Sequence, residues 1–436
     1  MKKIAFISEH ASPLAVLGGV DAVGQNVYVA ELAKYLSRMG YGIDVYTRWE
    51  DPALPQVVPW LPQVRIIHIK AGPVSTVPKE ELLPYMTEFR KNMMRFMEGE
   101  DVCYTLVHAN FFMSALVAME LKEIMDIPYV VTFHALGQVR RLHQKEQDKF
   151  PTERLPIEEE TAARAARVIA ECPQDKEDLV NLYHVPPAAI TIVPCGFCPS
   201  EFYPVNRSIA RSYLGLDQDE NILLQLGRMV PRKGIDTVIE ALPYLRHQKN
   251  KIRLLVVGGD SEEPDGKKCA EIGRLQKLAE KEGVSSRVSF VGRRNREVLK
   301  YYYSAADLFI TTPWYEPFGI TPLEAMACGT PVIGSNVGGI KFSVKHSATG
   351  YLVPPRNPKE LAKKIDHLFA NPHLIKKMQV NSLRRVHSLF TWNRVAQAIA
   401  NVYEEVERAT GRAEQSEKMA PVYHMPQAKA ALKKTK

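Results

Sequence analysis

Short runs of β-branched and other apolar residues alternate with longer stretches of helical period along most of the chain. Ile4–Ser8 reads as a first buried strand, and Asn26–Met39 as a helix with Val27, Ala30, Leu32, Ala33 and Leu36 on its apolar side. Ile43–Thr47 and Val64–Ile69 predict strands, and Glu80–Met97 an amphipathic helix. Thr105–His108, Tyr129–His134, Arg167–Glu171 and Ile190–Val193 predict further strands, with a helix over Phe112–Ile124. Strands that alternate with helices of roughly 10–15 residues mean βαβ units and a mostly parallel sheet.

The alternation pauses at Pro194–Pro204, where three prolines and one glycine make a stiff linker. It then restarts: Ile222–Leu226, Ile252–Val257, Val288–Val291, Leu308–Thr311 and Pro331–Gly334 predict strands, with helices over Gly234–Leu245 and Lys268–Glu282. The fold class is therefore α/β, with two Rossmann-like, doubly wound domains facing a cleft. Residues 1–198 form the first domain and 199–392 the second. A last amphipathic helix, about 393–410, follows Phe390-Thr391-Trp392, and a polar, basic tail over 411–436 reads as disordered. Open parallel sheets bind ligands beyond the carboxyl ends of their strands, where the strand order reverses.

Composition narrows the class. At 436 residues, 45% hydrophobic and 24% charged, the chain is neither disordered nor a coiled coil. Its apolar runs fall short of the roughly 18 residues of a membrane span, and the one at Ile4–Ile7 is too short for a signal peptide. Six scattered cysteines exclude a disulfide scaffold, and the Cys195/Cys198 pair lacks a second pair for zinc, so no metal site is expected. A reduced, cytoplasmic protein is the expectation. The net charge of +8 suits an acidic ligand, but part of it sits in the tail and it does not indicate nucleic acid. The basic Glu88–Arg95 stretch reads as a solvated helix in preference to a membrane contact, and a homodimer is compatible with such a chain.

The strongest chemical signal is Glu316-Pro317-Phe318-Gly319-Ile320-Thr321-Pro322-Leu323-Glu324. A carboxylate accepts from two neighbouring hydroxyls, so Glu316 and Glu324 could each grip a diol, one on a hexose and one on a ribose. Thr321-x-x-Glu324 also reads as a helix capping box. In Gly227-Arg228-Met229-Val230-Pro231-Arg232-Lys233-Gly234, Arg228 and Lys233 emerge at a strand's carboxyl end ahead of a helix, an arrangement suited to a pyrophosphate. The glycine loop Leu17–Asn26 can likewise receive a phosphate or sugar at a helix N-terminus, although it is not a dinucleotide fingerprint. His134 closes an apolar strand where it can reach a ligand or serve as a buried, hydrogen-bonded histidine. Neither a hydrolase triad nor a zincin motif is present.

These motifs together resemble the retaining glycosyltransferases of family 4, which have the GT-B fold. The resemblance spans about Met1–Glu407 and includes Ser12-Pro13-Leu14 followed by Gly24-Gln25-Asn26-Val27-Tyr28-Val29-Ala30-Glu31-Leu32. It implies a nucleotide-sugar co-substrate, UDP-linked by preference, and no required cofactor. By similarity Arg228 and Lys233 take the pyrophosphate, Glu324 the ribose and Arg294 the base side. Glu316 with Phe318, Gly319 and Ile320 takes the transferred sugar, His134 contacts it from the first domain, and Gly24 brings its amide to the pyrophosphate. The catalytic set is then His134, Arg228, Lys233 and Glu316.

The first domain is most similar to inositol-phosphate N-acetylglucosaminyltransferases and to sucrose and sucrose-phosphate synthases. Lys79 and Arg154 match positions that hold an acceptor phosphate, and Asn26 faces that acceptor. Phe111 and Ala135 stand where a tyrosine and a threonine complete the inositol-phosphate pocket, which opens the acceptor to other sugars and sugar phosphates or to a lipid. Val23 replaces a glycine in the donor loop, and its bulk predicts a weakened but active enzyme. Two other classes stay open: a nucleotide-sugar 2-epimerase of the same architecture, and an impaired nucleotide-sugar-binding protein.

Overall fold

The computed structural model describes residues 2–15, 24–246, 251–259 and 261–411. Val23, most of the glycine loop and the tail beyond residue 411 lie outside the described residues.

Eight strands form the first sheet: β1 (Lys3–Ile7), β2 (Gly42–Arg48), β3 (Val57–Leu61), β4 (Val64–Ile69), β5 (Leu106–Asn110), β6 (Tyr129–Thr132), β7 (Arg167–Ala170) and β8 (Ile190–Ile192). Their order is β3-β4-β2-β1-β5-β6-β7-β8, parallel except where β3 runs antiparallel to β4. The second sheet holds β9 (Asn221–Leu226), β10 (Ile252–Val257), β11 (Val288–Gly292), β12 (Leu308–Thr311), β13 (Val332–Ser335) and β14 (Gly350–Val353). Its order, β11-β10-β9-β12-β13-β14, is all parallel. Strand order reverses between β1 and β5 in one sheet and between β9 and β12 in the other, so each domain opens a crevice at its strands' carboxyl ends. Helices cover both faces, which is why central strands such as β1 and β12 are apolar at nearly every position and buried apart from Lys3 at the start of β1.

Several elements depart from the expectation. The helix predicted over Glu80–Met97 starts at Met86. Lys79–Glu81 and Leu83–Tyr85 are separate 3₁₀ turns, because Pro84 has no amide to continue a helix ladder. Strand β3 was not anticipated, since Pro59 interrupts its pattern; proline is tolerated there because β3 is an edge strand. The helices Gly137–Gln144, Arg154–Arg164 and Pro173–Tyr183 were likewise not anticipated, nor were β14 and the helices Pro358–Ala370 and Pro372–Leu389.

The chain crosses between the domains twice at one place. Phe197 of the proline-rich linker pairs with Thr391, its amide donating to Phe390 O at 2.8 Å. Beyond this crossing the helix Trp392–Ala409 packs against the helix Gln25–Arg38 of the first domain. Trp392 meets Tyr28 edge-on, and Tyr403 donates or accepts at His108 Nδ1 at 2.6 Å. Both aromatic rings are fully buried, so the C-terminal helix belongs to the core of the first domain.

Candidate active site

On the second domain, the chain leaves β9 through Gly227 and Arg228 and turns at Pro231–Lys233 into the helix Ile235–Ala241. Gly234 makes that turn with φ +66°, and a Cβ there would lie 2.0 Å from Thr312 O. Both its left-handed backbone and its close packing require glycine. The turn seats Lys233 on the loop that follows β12, where Nζ donates to Glu316 Oε2. Arg232 Nη1 lies 3.6 Å from the same oxygen. Burial alone would raise the Glu316 carboxyl, yet Lys233, then Arg232 and Arg228, hold it below its ordinary range. Burial pushes the Lys233 ammonium down against the pull of Glu316, and Arg232 and Arg228 add to the push. Arg232 and Arg228 act on both groups in the sense of surplus positive charge, while burial opposes the Glu316 shift and dominates that of Lys233.

Glu324 lies in the helix Thr321–Ala327 and is buried. The capping-box reading fails, because Ile320 is the N-cap and no side chain caps the helix. The Glu324 carboxylate instead accepts from Arg296 Nη1 at 3.1 Å and from the Tyr303 hydroxyl at 2.8 Å. Burial raises its carboxyl, with Arg296 opposing. Arg296 also donates to Glu201 Oε2 of the linker at 2.6 Å. Arg294, two residues earlier, is steadied by the Glu262 and Arg293 carbonyls at 2.8 Å each.

On the first domain, β6 ends at Thr132, and His134 follows with φ +60°. A left-handed histidine costs of order 1–3 kcal/mol and persists where its surroundings over-determine it. Here the ring is held at both nitrogens: Nδ1 faces Glu171 Oε1 and Nε2 faces Asn110 Oδ1, each at 3.0 Å. Cys195 Sγ donates to the same Glu171 oxygen at 3.2 Å. Gly24, with φ +66°, is the N-cap of the helix Gln25–Arg38, a backbone conformation open to glycine and strained for a β-branched residue. Asn26 is buried but is not on the cavity wall; its Nδ2 donates to Ser12 O at 2.8 Å.

Arg154 is almost wholly buried. Its Nε donates to Glu158 Oε1 at 2.7 Å and its Nη2 to Ala135 O, and its guanidinium lies over the rings of Phe111, Phe112 and Phe150. Nη1 is buried with no hydrogen-bond partner among the described residues. Arg140, on the helix Gly137–Gln144, pairs with Asp148 Oδ1 at 2.7 Å.

One cavity of about 330 Å³ joins these groups. From the second domain it is lined by Arg228, Arg232, Lys233, Arg294, Arg296, Glu316, Phe318, Gly319, Ile320 and Glu324. From the first domain come His10, Gly24, Lys79, Phe111, His134, Ala135, Arg140, Phe150, Arg154 and Glu171. Of the catalytic, donor-side and acceptor-side residues named from the sequence, all but Asn26 border the same space, and Val23 lies outside the described residues. The cleft is spanned at Tyr315, whose ring stacks on His143 with centroids 4.8 Å apart and whose hydroxyl accepts from Gln144 Nε2.

Sequence reasoning missed Arg232, Arg296, Tyr303, Arg140, Asn110 and Glu171. Arg232 stands inside the basic turn that points to Lys233, Arg296 lies two residues beyond Arg294, which is named through resemblance alone, and Glu171, like His134, ends a run that predicts a strand. Tyr303 and Arg140 sit on helices where no local pattern separates them from surface residues.

Comparison with known proteins supplies the family and the fold. The family described as Glycosyltransferase Family 4 matches residues 23–201, and that described as Glycosyl transferases group 1 matches residues 206–385. A D-inositol 3-phosphate glycosyltransferase of Streptomyces bingchenggensis is 34% identical over 418 residues, 94% of this chain and 91% of that protein. The sucrose-phosphate synthase of Thermosynechococcus elongatus superposes with a TM-score of 0.85 at 35% identity, covering 94% of this chain and 100% of that one. HepE of Anabaena, solved with UDP and glucose, shares the fold with a TM-score of 0.72 at 21% identity, covering 93% and 100%.

Proposed function

The chain belongs to the family-4 glycosyltransferases, and from that premise we propose that it moves a hexosyl group, with retention, from a UDP-linked sugar to a phosphorylated sugar or polyol. The observation that carries this reading is the single cavity with a cationic second-domain wall, the buried Glu324 and the largely buried Glu316 beside it, and three further cations opposite. In it Arg228 and Lys233 bind the diphosphate, Glu324 the ribose hydroxyls, and Glu316 with the Phe318–Ile320 backbone the hexose. Arg294 lies on the base side, Gly24 brings its amide to the diphosphate, and His134 contacts the hexose from across the cleft. Residues 1–198 with the C-terminal helix act as the acceptor domain, and 199–392 as the donor domain.

Departure of the nucleotide places negative charge on its β-phosphate, which Arg228 and Lys233 are placed to stabilise. Among the described residues, Glu171, Glu316 and Glu324 are the carboxylates on the cavity wall. Each is already engaged, by His134 and Cys195, by Lys233, and by Arg296 and Tyr303. That engagement favours same-face attack, with the leaving phosphate taking the acceptor hydroxyl's proton, over a carboxylate nucleophile of the glycosidase kind.

Lys79, Arg140 and Arg154 supply the acceptor's phosphate site. Two relatives, an inositol 3-phosphate glycosyltransferase and a sucrose-phosphate synthase, are both named for a phosphorylated polyol or sugar. Phe111 and Ala135 offer no hydroxyl to that site, so the acceptor is held by charge more than by hydroxyl donors.

The test is incubation with UDP-, GDP- and ADP-glucose against hexose phosphates and inositol phosphates, with products identified by mass and anomeric configuration by NMR. Nucleotide diphosphate released only when a phosphorylated acceptor is present, with a retained α-linkage, is the expected result. Epimerisation or hydrolysis without acceptor would point to the epimerase class, and binding without turnover on any acceptor to an impaired binding protein.

A further inference from the structure

Lys233 and Glu316 pair with each other, yet in the donor-site reading both residues have work elsewhere when a donor arrives. A bound diphosphate draws the Lys233 ammonium, and the hexose hydroxyls draw the Glu316 carboxylate. Glu316 is then a buried anion whose hydrogen-bonded counter-ion has been claimed by a stronger dianion, and burial favours its neutral form.

Arg232 stands where this imbalance arises. Its Nη1 is 3.6 Å from Glu316 Oε2, the oxygen that Lys233 already holds. That Nη1 is buried and has no hydrogen-bond partner among the described residues. The guanidinium lies 5.3 Å from the Tyr315 ring centroid, and the Arg232 carbonyl accepts from Trp314 N at 2.9 Å. The backbone is thus tied to the very loop that carries Glu316, while the head group is free to close a gap of under about 1 Å to charge-assisted hydrogen-bond distance. Arg228, Arg232 and Lys233 are the charged groups that face Glu316, and Tyr315 is its titratable neighbour on the same loop.

We propose that Arg232 is a positioning residue that takes over Glu316 when the donor diphosphate takes Lys233, so that Glu316 stays ionised and fixed to receive the hexose. The hand-over rests on the donor-site reading above. It assigns Arg232 to neither phosphate nor sugar: the residue acts through Glu316.

Calorimetry of UDP-glucose binding, in buffers of differing ionisation enthalpy between pH 6 and 8, counts the protons taken up. The UDP-glucose diphosphate does not titrate in this range, so uptake reports the protein. For the parent, uptake near zero and an affinity independent of pH are expected. Arg232→Gln should take up about one proton per donor, and its affinity should fall by up to about tenfold per pH unit as pH rises. Arg232→Lys should recover most of the parent behaviour, and Glu316→Gln in the Arg232→Gln background should abolish the uptake. A thermal melt on each variant verifies folding, which a proton count does not mimic. Equal uptake by the parent and Arg232→Gln, whether zero or one, would overturn the hand-over while leaving the donor site standing. A parent that binds none of the UDP-, GDP- or ADP-glucose set would overturn the donor reading and the hand-over with it.

Discussion

Lys233 concentrates the site's chemistry in one side chain. It is drawn out of water, loses basicity to burial, and pairs with Glu316. Replacing it with alanine leaves Glu316 with Arg232 and removes one preorganised donor from the leaving phosphate. In comparable oxyanion sites that loss is about 3–4 kcal/mol, so kcat should drop by roughly 10²–10³ with a smaller change in donor KM. Steady-state kinetics of the transfer decides it, and a kcat within twofold of the parent would remove Lys233 from the chemistry. Lys233 was legible in the sequence because a strand, a basic turn and a glycine before a helix occur in one short run. Arg154 was named only through resemblance, since nothing local announces that an arginine at a helix start lies beneath three phenylalanine rings.

Among the elements, the helix Trp392–Ala409 shows how one buried polar contact ties a remote segment to a sheet. His108 in β5 bonds Tyr403 through Nδ1 and Thr132 Oγ1 through Nε2 at 2.9 Å. Burial pushes this imidazole down to about 3, with the charge of His134 adding, whereas in the unfolded chain it titrates near ~6.5. Between those values the unfolded state binds the extra proton, so stability rises with pH through the window. The contribution is complete above the unfolded value and is lost as pH falls toward 3, by up to ~1.4 kcal/mol per pH unit. His108→Gln should therefore lower Tm at pH 7, and the gap to the parent should shrink as pH falls to 4. A gap in Tm that is constant with pH would show that His108 does not titrate on unfolding. Most strands could be read from their apolar runs, which parallel sheets demand on both faces. Strand β3 and the helices between Gly137 and Tyr183 could not, because an edge strand and polar surface helices satisfy weaker patterns.

For the whole molecule, closure of the cleft is the decisive property. Tyr315, one residue before Glu316, stacks on His143 and bonds Gln144 across the gap, and Cys172 Sγ donates to Pro317 O at 3.4 Å on the same loop. The donor-side loop is thus clamped by the helix that bears Arg140. An aromatic stack of this kind contributes about 0.5–1.5 kcal/mol, enough to shift an open–closed equilibrium several-fold. Tyr315→Ala should raise donor hydrolysis relative to transfer by roughly threefold to tenfold, as water enters a cleft that no longer seals. Measuring glucose released per glycoside formed tests it, and an unchanged ratio would show that Tyr315 does not govern closure.

What the sequence by itself determined is the pair of parallel α/β domains and the residue types that its strand-end motifs bring to the cavity. Hydrophobic period and strand-end motifs are local, and local physics suffices to read them. Only the tertiary structure decided which residues meet: Arg232 with Glu316, Arg296 and Tyr303 with Glu324, His134 between Glu171 and Asn110. These contacts join positions up to 84 residues apart or lie on helices with no distinguishing pattern. Each forms within one domain, and its existence depends on how that domain's strands and helices come together, which long-range packing and not propensity sets.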